Sequence, residues 1–399
     1  MKNKLAIYAI HPIMYQTPIF KELESHFSNG EGVSTQVLFG DDLSLKEMHF
    51  KEINSKYKPD VPFLMDGYSY KFLKNYAKDA RGGFFSRINF GIFKELRKEK
   101  YDAILIHGYD SLTAWLTMAA AKLTGTKIIW RGEAVLRGIE GGNSIKQVLK
   151  RFVLRKFFNS CDAIMFSCTG NKEYLKFYEV GDNKLFSIPC AVNNEFFQKE
   201  RDKYIHEVNN IKNELGIDKD NLVILFSARF TSRKRPLDLL NALTKIDSSK
   251  ITVLFVGDGP EQKYMEEFAQ ENNINVIFTG FVNQTEISKY YSVSDLDIVI
   301  SDYDPSPKAM NEAMNFRLPI IVSSVVGTAY DLVKDGESGF IVKVGDINAM
   351  AEKINYLNNN REKLIEMGNK SFEIVQNWSY KEDVDGIIEA FNFVQKQKL

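Results

Sequence analysis

Cysteine is scarce in this chain, and its scarcity excludes one broad class of proteins. Only three cysteines occur among the 399 residues, Cys161, Cys168 and Cys190, and no two of them form a Cys-x-x-Cys pair. The disulfide framework of a small secreted domain is therefore excluded. Because unpaired cysteines are typical of reducing compartments, we expect the chain to work in the cytoplasm.

Long apolar runs are also missing. The longest, around Leu112–Leu123, is too short and too interrupted to span a bilayer. Leu5–Ile10 is shorter than the apolar region of a signal peptide and no small-residue cleavage site follows it, so we interpret it as a first buried strand. With 44% hydrophobic and 26% charged residues, the composition is that of a globular protein rather than a disordered or membrane-spanning one.

Neither sign of charge is in excess. The 52 Lys and Arg residues balance the 52 Asp and Glu residues, which excludes the strongly positive field of many nucleic-acid-binding proteins, and no nucleic-acid partner is expected. No predicted strand is followed by Gly-x-Gly-x-x-Gly and no Walker sequence occurs, which argues against a nicotinamide-dependent dehydrogenase. Repeats of solenoid period and low-complexity tracts are absent from the sequence.

What the chain does contain is a regular alternation of short apolar runs with amphipathic stretches. We predict strands at residues 5–10, 34–39, 103–107, 127–131, 163–167 and 185–188, and then at 222–228, 252–256, 275–279, 298–301, 319–322 and 340–342. The predicted helices include residues 18–27, 111–123, 144–158, 236–246, 261–272, 284–292 and 346–357. Apolar strands that alternate with helices are typical of parallel sheets covered on both faces. We therefore predict an α/β protein with two tandem Rossmann-like, doubly wound domains.

The polar, charge-rich stretch Asn193–Lys219 separates the two halves. We predict an N-terminal domain of residues 1–192 and a C-terminal domain of residues 193–377. Residues 378–399 are predicted to form a helix that either closes the second domain or crosses back to the first. Ligands of parallel sheets bind outside the carboxyl ends of the strands, so we expect the two domains to face a cleft and the functional side chains to follow strands.

The most informative segment is Asp302–Leu318, in which two carboxylates, Asp304 and Glu312, lie eight positions apart. A Pro-Ser-Pro turn follows Asp304, and the predicted helical run Lys308–Phe316 carries Glu312. The N–H groups at such a helix start attract phosphate, and a carboxylate can accept hydrogen bonds from sugar hydroxyls. The segment therefore predicts a sugar-phosphate site. Asp302-Tyr303-Asp304 also resembles a metal-binding Asp-x-Asp sequence, but one carboxylate pair without further ligands does not predict a metal site.

Three further strand ends of the second half carry candidate donor-binding residues. Arg229 and Lys234 follow the first strand and can clamp a diphosphate, with a solvated basic loop as the alternative. Gly257 and Gly259 follow the next strand and allow either close approach of a ligand or a plain turn. Gly280-Phe281-Val282 follows the third and offers a surface for a nucleobase, or simply a hydrophobic residue at a helix start.

In the first half, polar side chains follow three predicted strands. His107 ends one strand and is either a functional group or a cap of the following helix. Arg131 and Glu133 end the next strand, where they either face a ligand or form a buried ion pair. His11 follows the first strand. We take His107, Arg131 and Glu133 as candidate catalytic residues.

The stretch Ser144–Phe158 predicts a basic amphipathic helix with five cations and a set of apolar residues between them. Such a helix can lie on an anionic membrane surface. The alternative is an ordinary helix that turns its apolar side to the core and its basic side to water.

Taken together, the second half resembles the retaining nucleotide-sugar glycosyltransferases of the GT-B fold, specifically glycosyltransferase family 4 (glycosyl transferases group 1). The resemblance covers residues 220–360 and depends on the order and spacing of several short motifs. These are Arg229 with Lys234, the sequences at 256–260, 280–282 and 294–296, Asp304 with Glu312, and the sequences at 318–321 and 335–340. The first half resembles the acceptor domain of that fold more loosely.

The resemblance implies roles for these residues. Arg229 and Lys234 would hold the donor diphosphate, Glu312 the nucleotide ribose, and Asp304 the hydroxyls of the donor sugar as a catalytic-site residue. The backbone of Lys308, Ala309 and Met310 would approach the sugar and phosphates. The chain departs from the family in having Asp304 where Glu is usual, Arg235 where Gly is common, and Arg131 where many members have His.

The implied activity is a retaining, metal-independent transfer of a sugar from a nucleotide-diphosphate donor to a hydroxyl of a glycan or glycolipid, in cell-surface polysaccharide synthesis. The nucleotide sugar is a co-substrate, and no cofactor or metal is expected. The expected place is the cytoplasm, with peripheral contact to the inner face of the membrane through Ser144–Phe158. The alternatives are an epimerase or hydrolase of the same fold, and a non-catalytic sugar-nucleotide-binding subunit.

Overall fold

The computed structural model describes residues 3–29, 32–46, 48–50, 55–57, 64–79, 82–137 and 142–397. The described residues divide into two compact units. Unit 1 lies within Met1–His49, Lys56–Cys190 and Tyr380–Leu399, and unit 2 within Phe50–Ser55 and Ala191–Ser379.

The strands are short and mostly apolar. They are β1 (Asn3–Ala9), β2 (Val33–Phe39), β3 (Met48–Phe50), β4 (Ser55–Tyr57), β5 (Tyr70–Phe72), β6 (Ala103–His107), β7 (Lys127–Gly132), β8 (Ala163–Phe166), β9 (Leu185–Ser187), β10 (Leu222–Ser227), β11 (Ile251–Val256), β12 (Val276–Phe278), β13 (Leu296–Val299), β14 (Ile320–Ser323) and β15 (Gly339–Val342).

The helices alternate with these strands. They are α1 (Thr17–Asn29), α2 (Gly91–Glu99), α3 (Leu112–Thr124), α4 (Ile145–Asn159), α5 (Thr169–Phe177), α6 (Asn194–Tyr204), α7 (Val208–Glu214), α8 (Pro236–Leu243), α9 (Gln262–Glu271), α10 (Gln284–Val293), α11 (Lys308–Asn315), α12 (Ala329–Leu332), α13 (Ile347–Asn359), α14 (Arg361–Val375) and α15 (Tyr380–Lys396).

Each unit is built on one parallel sheet. The seven strands of unit 1 lie in the order β5-β2-β1-β6-β7-β8-β9, and the six of unit 2 in the order β12-β11-β10-β13-β14-β15. β3 and β4 form a separate two-stranded sheet. The central strands are buried along most of their length because helices cover both faces of a parallel sheet. The predicted fold class, two doubly wound Rossmann-like domains, is confirmed.

The strand order places one switch point in each sheet. In unit 1 the chain winds outward in one direction from β1 and in the other from β6, and in unit 2 it does so from β10 and β13. At these two switch points β1 pairs with β6, with Ile7 opposite Leu105, and β10 pairs with β13, with Ile224 opposite Leu296. Ligands of doubly wound sheets bind at such reversals, outside the carboxyl ends of the strands.

The predicted break between the halves contains two helices instead. α6 and α7 occupy most of Asn193–Lys219 and belong to unit 2. Each buries a single large apolar residue, Phe197 or Ile211, so the segment is polar enough to resemble a linker. The predicted strand at residues 298–301 also begins earlier, at Leu296.

The C-terminal helix α15 packs against the sheet of unit 1. It contacts β6 to β9 and α1, and buries Val384, Ile387 and Phe391. At Gly386 the helix backbone comes so close to β9 that a Cβ atom would lie 2.0 Å from the carbonyl oxygen of Ser187. Only glycine allows this approach without a shift of the helix.

Candidate functional site

In unit 2 a cavity of about 150 Å³ opens at the switch point between β10 and β13. Its walls are the carboxyl ends of these strands, the side chain of Lys234 and the first turn of α11, including Lys308 and Ala309. The order of the strands in the sheet thus brings together Lys234 and Asp304, which lie 70 positions apart in the sequence. The same helix carries Met310 and Glu312, both buried.

Lys234 and Asp304 form an ion pair at the wall of this cavity. Both side chains are largely buried, with 16% and 12% of their surface exposed. The Asp304 backbone is fixed as well, because its carbonyl oxygen accepts a hydrogen bond of 2.9 Å from the Gly327 N–H. The structure therefore joins the predicted phosphate-binding cation to the predicted sugar-binding carboxylate.

Arg229 follows β10 and is half-buried beside the loop 257–259. Burial raises the pKa of Asp258 in that loop, and the positive charge of Arg229 partly offsets the increase. The Phe230 N–H donates to the Asp258 carbonyl oxygen at 2.7 Å, which ties the loop to the end of the strand.

Contacts between backbones explain the two glycines of this loop. A Cβ atom at Gly257 would lie 2.1 Å from the Ala228 carbonyl oxygen, and one at Gly259 would lie 2.3 Å from that of Phe230. Both residues have positive φ, 134° and 158°. Gly257 also bridges to Gly280, whose carbonyl oxygen accepts a hydrogen bond of 2.9 Å. The glycines thus hold the loops after β10, β11 and β12 together.

Phe281 and Val282 continue from Gly280 toward α10. The Phe281 side chain is 49% exposed, and Val282 is half-buried. An exposed aromatic ring after a strand end is suited to stacking on a planar ligand.

Glu312 is held in position by aromatic residues that sequence analysis missed. The Tyr291 hydroxyl donates to Glu312 Oε2 at 2.8 Å, and both residues are buried. The Tyr291 ring stacks on Phe316, with centroids 5.3 Å apart, and meets Phe197 edge-on. Aromatic packing thereby fixes the hydroxyl that orients the carboxylate.

Asp297, on β13, is a second buried carboxyl in this neighbourhood. Burial, with a smaller contribution from Glu312, raises its pKa to about 8. Neither carboxylate oxygen has a side-chain partner within the part of the chain that is described. A charged residue inside the apolar strand Leu296–Val299 was the sequence signal that could have identified it.

Unit 1 has its own cavity of about 210 Å³ at the carboxyl ends of its strands. It brings together three candidates, His107 at the end of β6 and Arg131 and Glu133 at the end of β7, and is also lined by Ile10 and Gln16. His11 lies next to this cavity in sequence but not in its wall; burial lowers the pKa of its imidazole.

The electrostatics separate the three candidates. Burial beside the Arg131 cation lowers the pKa of His107 to about 3, so this imidazole is neutral at physiological pH. The Arg131 guanidinium is buried, 3.3 Å from Cys190 Sγ and 3.8 Å from Glu133 Oε1, with Asp383 of α15 adding negative charge nearby. Glu133 is the most accessible of them, with 39% of its side chain exposed.

Geometry excludes one alternative considered for the first half and bears on a second. His107 does not cap the following helix, since the Ser111 hydroxyl accepts the Ala114 N–H at the start of α3. The helix α4 turns one part of its apolar surface to the core and another part to solvent. It packs through Leu154, Phe157 and Phe158 and leaves other apolar side chains exposed, namely Ile145 (87%), Val148 (47%), Leu149 (59%), Phe152 (55%) and Val153 (37%).

Two kinds of site are absent from the described ranges, a metal-binding cluster and a membrane-spanning helix. No group of three or more His, Cys, Asp or Glu residues there is arranged to hold a metal ion. No helix of those ranges combines the length and the hydropathy that crossing a bilayer requires.

Residues 207–374 match the family described as glycosyl transferases group 1. The chain is 26% identical over 317 residues to an Escherichia coli protein named UDP-Gal:alpha-D-GlcNAc-diphosphoundecaprenol alpha-1,3-galactosyltransferase, an alignment of 75% of this chain and 77% of that protein. With the first curated relatives, however, the alignments span about half of the relatives' length, from 45% to 47%.

Solved structures match over nearly the whole chain at low identity. A glycosyltransferase from Rickettsia africae superposes with a TM-score of 0.75 at 16% identity, covering 99% of both chains. Anabaena Alr3699/HepE in complex with UDP gives a TM-score of 0.72 at 15% identity, covering 98% of this chain and 100% of the other. The family match and the shared architecture agree: residues 207–374 match the group 1 glycosyltransferases, and the chain has the GT-B fold of the solved glycosyltransferases.

Proposed function

We propose that this protein is a retaining glycosyltransferase that moves a sugar from a nucleotide-diphosphate donor to a hydroxyl of a glycan or glycolipid. The observation that carries the proposal is the unit 2 cavity, where Lys234, Asp304 and the start of α11 converge at the sheet switch point. Relatives named as sugar transferases and a similar fold solved with UDP support it.

The donor half-reaction follows from charge. Breaking the bond between sugar and phosphate builds negative charge on the departing diphosphate and positive charge on the sugar. Arg229, Lys234 and the N–H groups at the start of α11 would stabilise the diphosphate. Glu312 would accept hydrogen bonds from the nucleotide ribose. Attack from the face that the phosphate leaves retains the anomeric configuration without an enzyme nucleophile, and this is the course that the family resemblance implies.

Asp304 would orient the donor sugar through its hydroxyls. Its carboxylate is paired with Lys234 in this structure, so a bound diphosphate and Asp304 compete for one ammonium group. A carboxylate so close to the phosphate site favours a ligand that supplies both phosphate charge and neutral hydroxyls. That description fits a nucleotide sugar better than a free nucleotide.

The acceptor would bind at the unit 1 cavity. Glu133 is the accessible carboxylate there and would accept a hydrogen bond from the attacking hydroxyl. His107 would act as a neutral imidazole, because its pKa of about 3 rules out a proton-donating imidazolium at physiological pH. Arg131 would hold Glu133 in place.

The reaction as proposed needs no metal ion, since cationic side chains and a helix start take the charge of the leaving group. Chelator is expected to leave the transfer rate unchanged. The proposed setting is the cytoplasmic face of a membrane in cell-surface polysaccharide synthesis. The exposed apolar stripe of α4 and its five cations support peripheral contact with anionic lipid through Ser144–Phe158.

Donor binding is tested by calorimetric titration with UDP, GDP, ADP and CDP. At least one should bind the wild type, and Lys234→Ala and Glu312→Gln should each weaken that binding tenfold or more, as the loss of a charge-assisted hydrogen bond predicts. Lys245→Ala is the matched control, because Lys245 is exposed beyond the far end of α8. Unchanged affinity in Lys234→Ala would refute the diphosphate assignment.

A further inference from the structure

Four aromatic side chains of unit 1 are exposed on the segment that follows β5. They are Tyr76 (54%), Phe84 (39%), Phe85 (68%) and Phe90 (55%), and we call them the aromatic cluster. Tyr76 contacts Phe90 with ring centroids 5.9 Å apart, and Phe84 contacts Phe85 at 5.1 Å. Three exposed phenylalanines within seven residues form an apolar patch of the kind that marks an interaction surface.

The exposure is not that of a loosely attached loop, since buried polar contacts hold its base. The Arg87 guanidinium pairs with Asp41 at 2.7 Å, and both side chains are buried. The Asn89 side chain donates to the carbonyl oxygens of Gly40 and Leu73 at 2.9 and 3.2 Å. A fixed base therefore presents these rings at the surface, where they remain partly exposed to solvent.

The cluster lies at the same rim of the unit 1 sheet as α4. Its segment follows the carboxyl end of β5, and its base contacts Gly40 and Asp41 just past β2. Asn89 also accepts a hydrogen bond from Thr113 in the first turn of α3. α4 and the His107 cavity follow β7 and β6 at that rim. Two exposed apolar surfaces thus flank the proposed acceptor cavity.

Charge and side-chain chemistry decide what the cluster fits. Residues 73–94 contain five Lys or Arg residues and a single Asp. Arg87 is buried with Asp41, whereas Lys74, Lys78 and Lys94 are exposed, and the Lys74 ammonium lies 4.9 Å from the centre of the Tyr76 ring. The helix α4 contributes five more cations and no acid. The three phenyl rings carry no polar group and suit the boundary between lipid headgroups and acyl chains, and the exposed cations suit anionic headgroups.

We propose that the aromatic cluster inserts into the surface of an anionic lipid bilayer, as a second membrane contact beside α4. The inference rests on the proposed function, which places the acceptor at a membrane. It adds that unit 1 binds by two separated contacts, which would fix the direction in which the acceptor cavity faces the lipid surface. A single helix would leave the unit free to rotate about its axis.

The direct test is Phe85→Trp in the full chain, with vesicles of phosphatidylglycerol and phosphatidylethanolamine. The wild-type spectrum, from three tryptophans, is subtracted. Insertion should shift the added emission to the blue, and bromine-labelled acyl chains should quench it. An emission unchanged by vesicles would overturn the proposal, because residue 85 would then remain in water.

Vesicle sedimentation supplies the matched comparison. The triple variant Phe84→Ser, Phe85→Ser, Phe90→Ser should bind the same vesicles at least tenfold more weakly at 0.5 M salt, where attraction to the α4 cations is screened. Leu123→Ser should bind like the wild type, since Leu123 is 78% exposed at the end of α3, on the opposite rim. Equal binding by the triple variant and the wild type would contradict the proposal.

Two readouts separate this inference from the proposed function. The triple variant should keep wild-type nucleotide affinity and wild-type hydrogen-exchange protection in β1, β2 and β6, which together show that both units are folded. If the wild type itself fails to sediment with vesicles, the membrane part of the proposed function fails along with the second contact. If the wild type and the triple variant sediment equally well with vesicles, only the second contact fails. A dimer that the triple variant converts to monomers would assign the surface to a second copy and overturn the proposal.

Discussion

The pairing of Lys234 with Asp304 shapes how the proposed donor site distinguishes its ligands. The ammonium and the carboxylate are both largely buried, and their mutual attraction offsets part of the free energy that each loses on leaving water. A diphosphate that reaches Lys234 must share that cation with Asp304, and the carboxylate repels it. A donor sugar can offset this cost by donating its hydroxyls to Asp304.

Asp304→Asn should therefore separate nucleotide binding from sugar transfer. With the carboxylate charge removed, a free nucleoside diphosphate is expected to bind as tightly as to the wild type or a few-fold tighter. Transfer should fall about ten- to a hundredfold, because a charge-assisted hydrogen bond contributes about 1.5–3 kcal/mol. Calorimetry and a transfer assay measure the two quantities. Asp302→Asn, at an exposed neighbouring position, is the control, and a parallel loss of both activities would contradict the argument.

Asp297 should make stability depend on pH. Burial and Glu312 raise its folded-state pKa to about 8 from the usual 3.8, so the folded protein keeps a proton that the unfolded chain releases. Stability is then lost as pH rises from about 4 to about 8, by at most about 1.4 kcal/mol per pH unit. Denaturant unfolding of Asp297→Asn between pH 6 and 8 should show a smaller loss. Parallel curves for both proteins would show that Asp297 does not carry the proton.

At the scale of elements, sequence patterns gave the buried strands well and the polar helices poorly. β6 lies where it was predicted, at Ala103–His107, because a strand covered on both faces is continuously apolar. The helices α6 and α14 were missed because they are rich in charge and depend on contacts made elsewhere, such as the hydrogen bond of 3.0 Å from Asn194 Nδ2 to the Val375 carbonyl oxygen. Propensity is a weak guide where tertiary contacts decide.

The grouping of candidate site residues was predictable only for residues that follow the strands of one parallel sheet. Arg229, Asp304 and His107 follow strands, and the carboxyl ends of parallel strands share one rim, so their grouping within each unit follows from topology. The contact of Tyr291 with Glu312 joins α10 to α11. Such a pairing depends on helix rotation and side-chain direction, which no spacing in the sequence records.

The start of α8 provides a prediction at this scale. Arg235 has φ 55°, a left-handed conformation that favours glycine, and its side chain pairs with Asp238 at 2.5 Å and lies near Gly345. Arg235→Gly loses an ion pair of about 0–1 kcal/mol but also relieves backbone strain of about 1 kcal/mol. We expect its free energy of unfolding and its nucleotide affinity to stay near wild type. A tenfold loss of nucleotide affinity would show that Arg235, too, contacts the diphosphate.

At the scale of the whole molecule, the chain crosses between its two units more than once. The sheet of unit 1 is completed by α15, so the last helix in sequence stabilises strands from the first half. Sequence analysis left two positions open for this helix, because an amphipathic pattern shows that a face is buried but not which surface covers it. Glycine is unfavourable inside a helix, but at position 386 its missing side chain allows α15 to pack closely against β9.

Two matched glycine variants should weaken the two units separately. A Cβ atom at Gly386 would lie 2.0 Å from the Ser187 carbonyl oxygen in unit 1, and one at Gly368 would lie 2.0 Å from that of Arg317 in unit 2. Each Gly→Ala change should cost about 1–3 kcal/mol through overpacking. Hydrogen exchange should then rise in β7 to β9 for Gly386→Ala, with unit 2 unchanged, and around α11 and α14 for Gly368→Ala. Nucleotide binding should slow exchange in unit 2 of both variants, since the proposed donor site lies there. If Gly386→Ala raised exchange equally in both units, the chain would unfold as one cooperative body and the division into two units would have no energetic meaning.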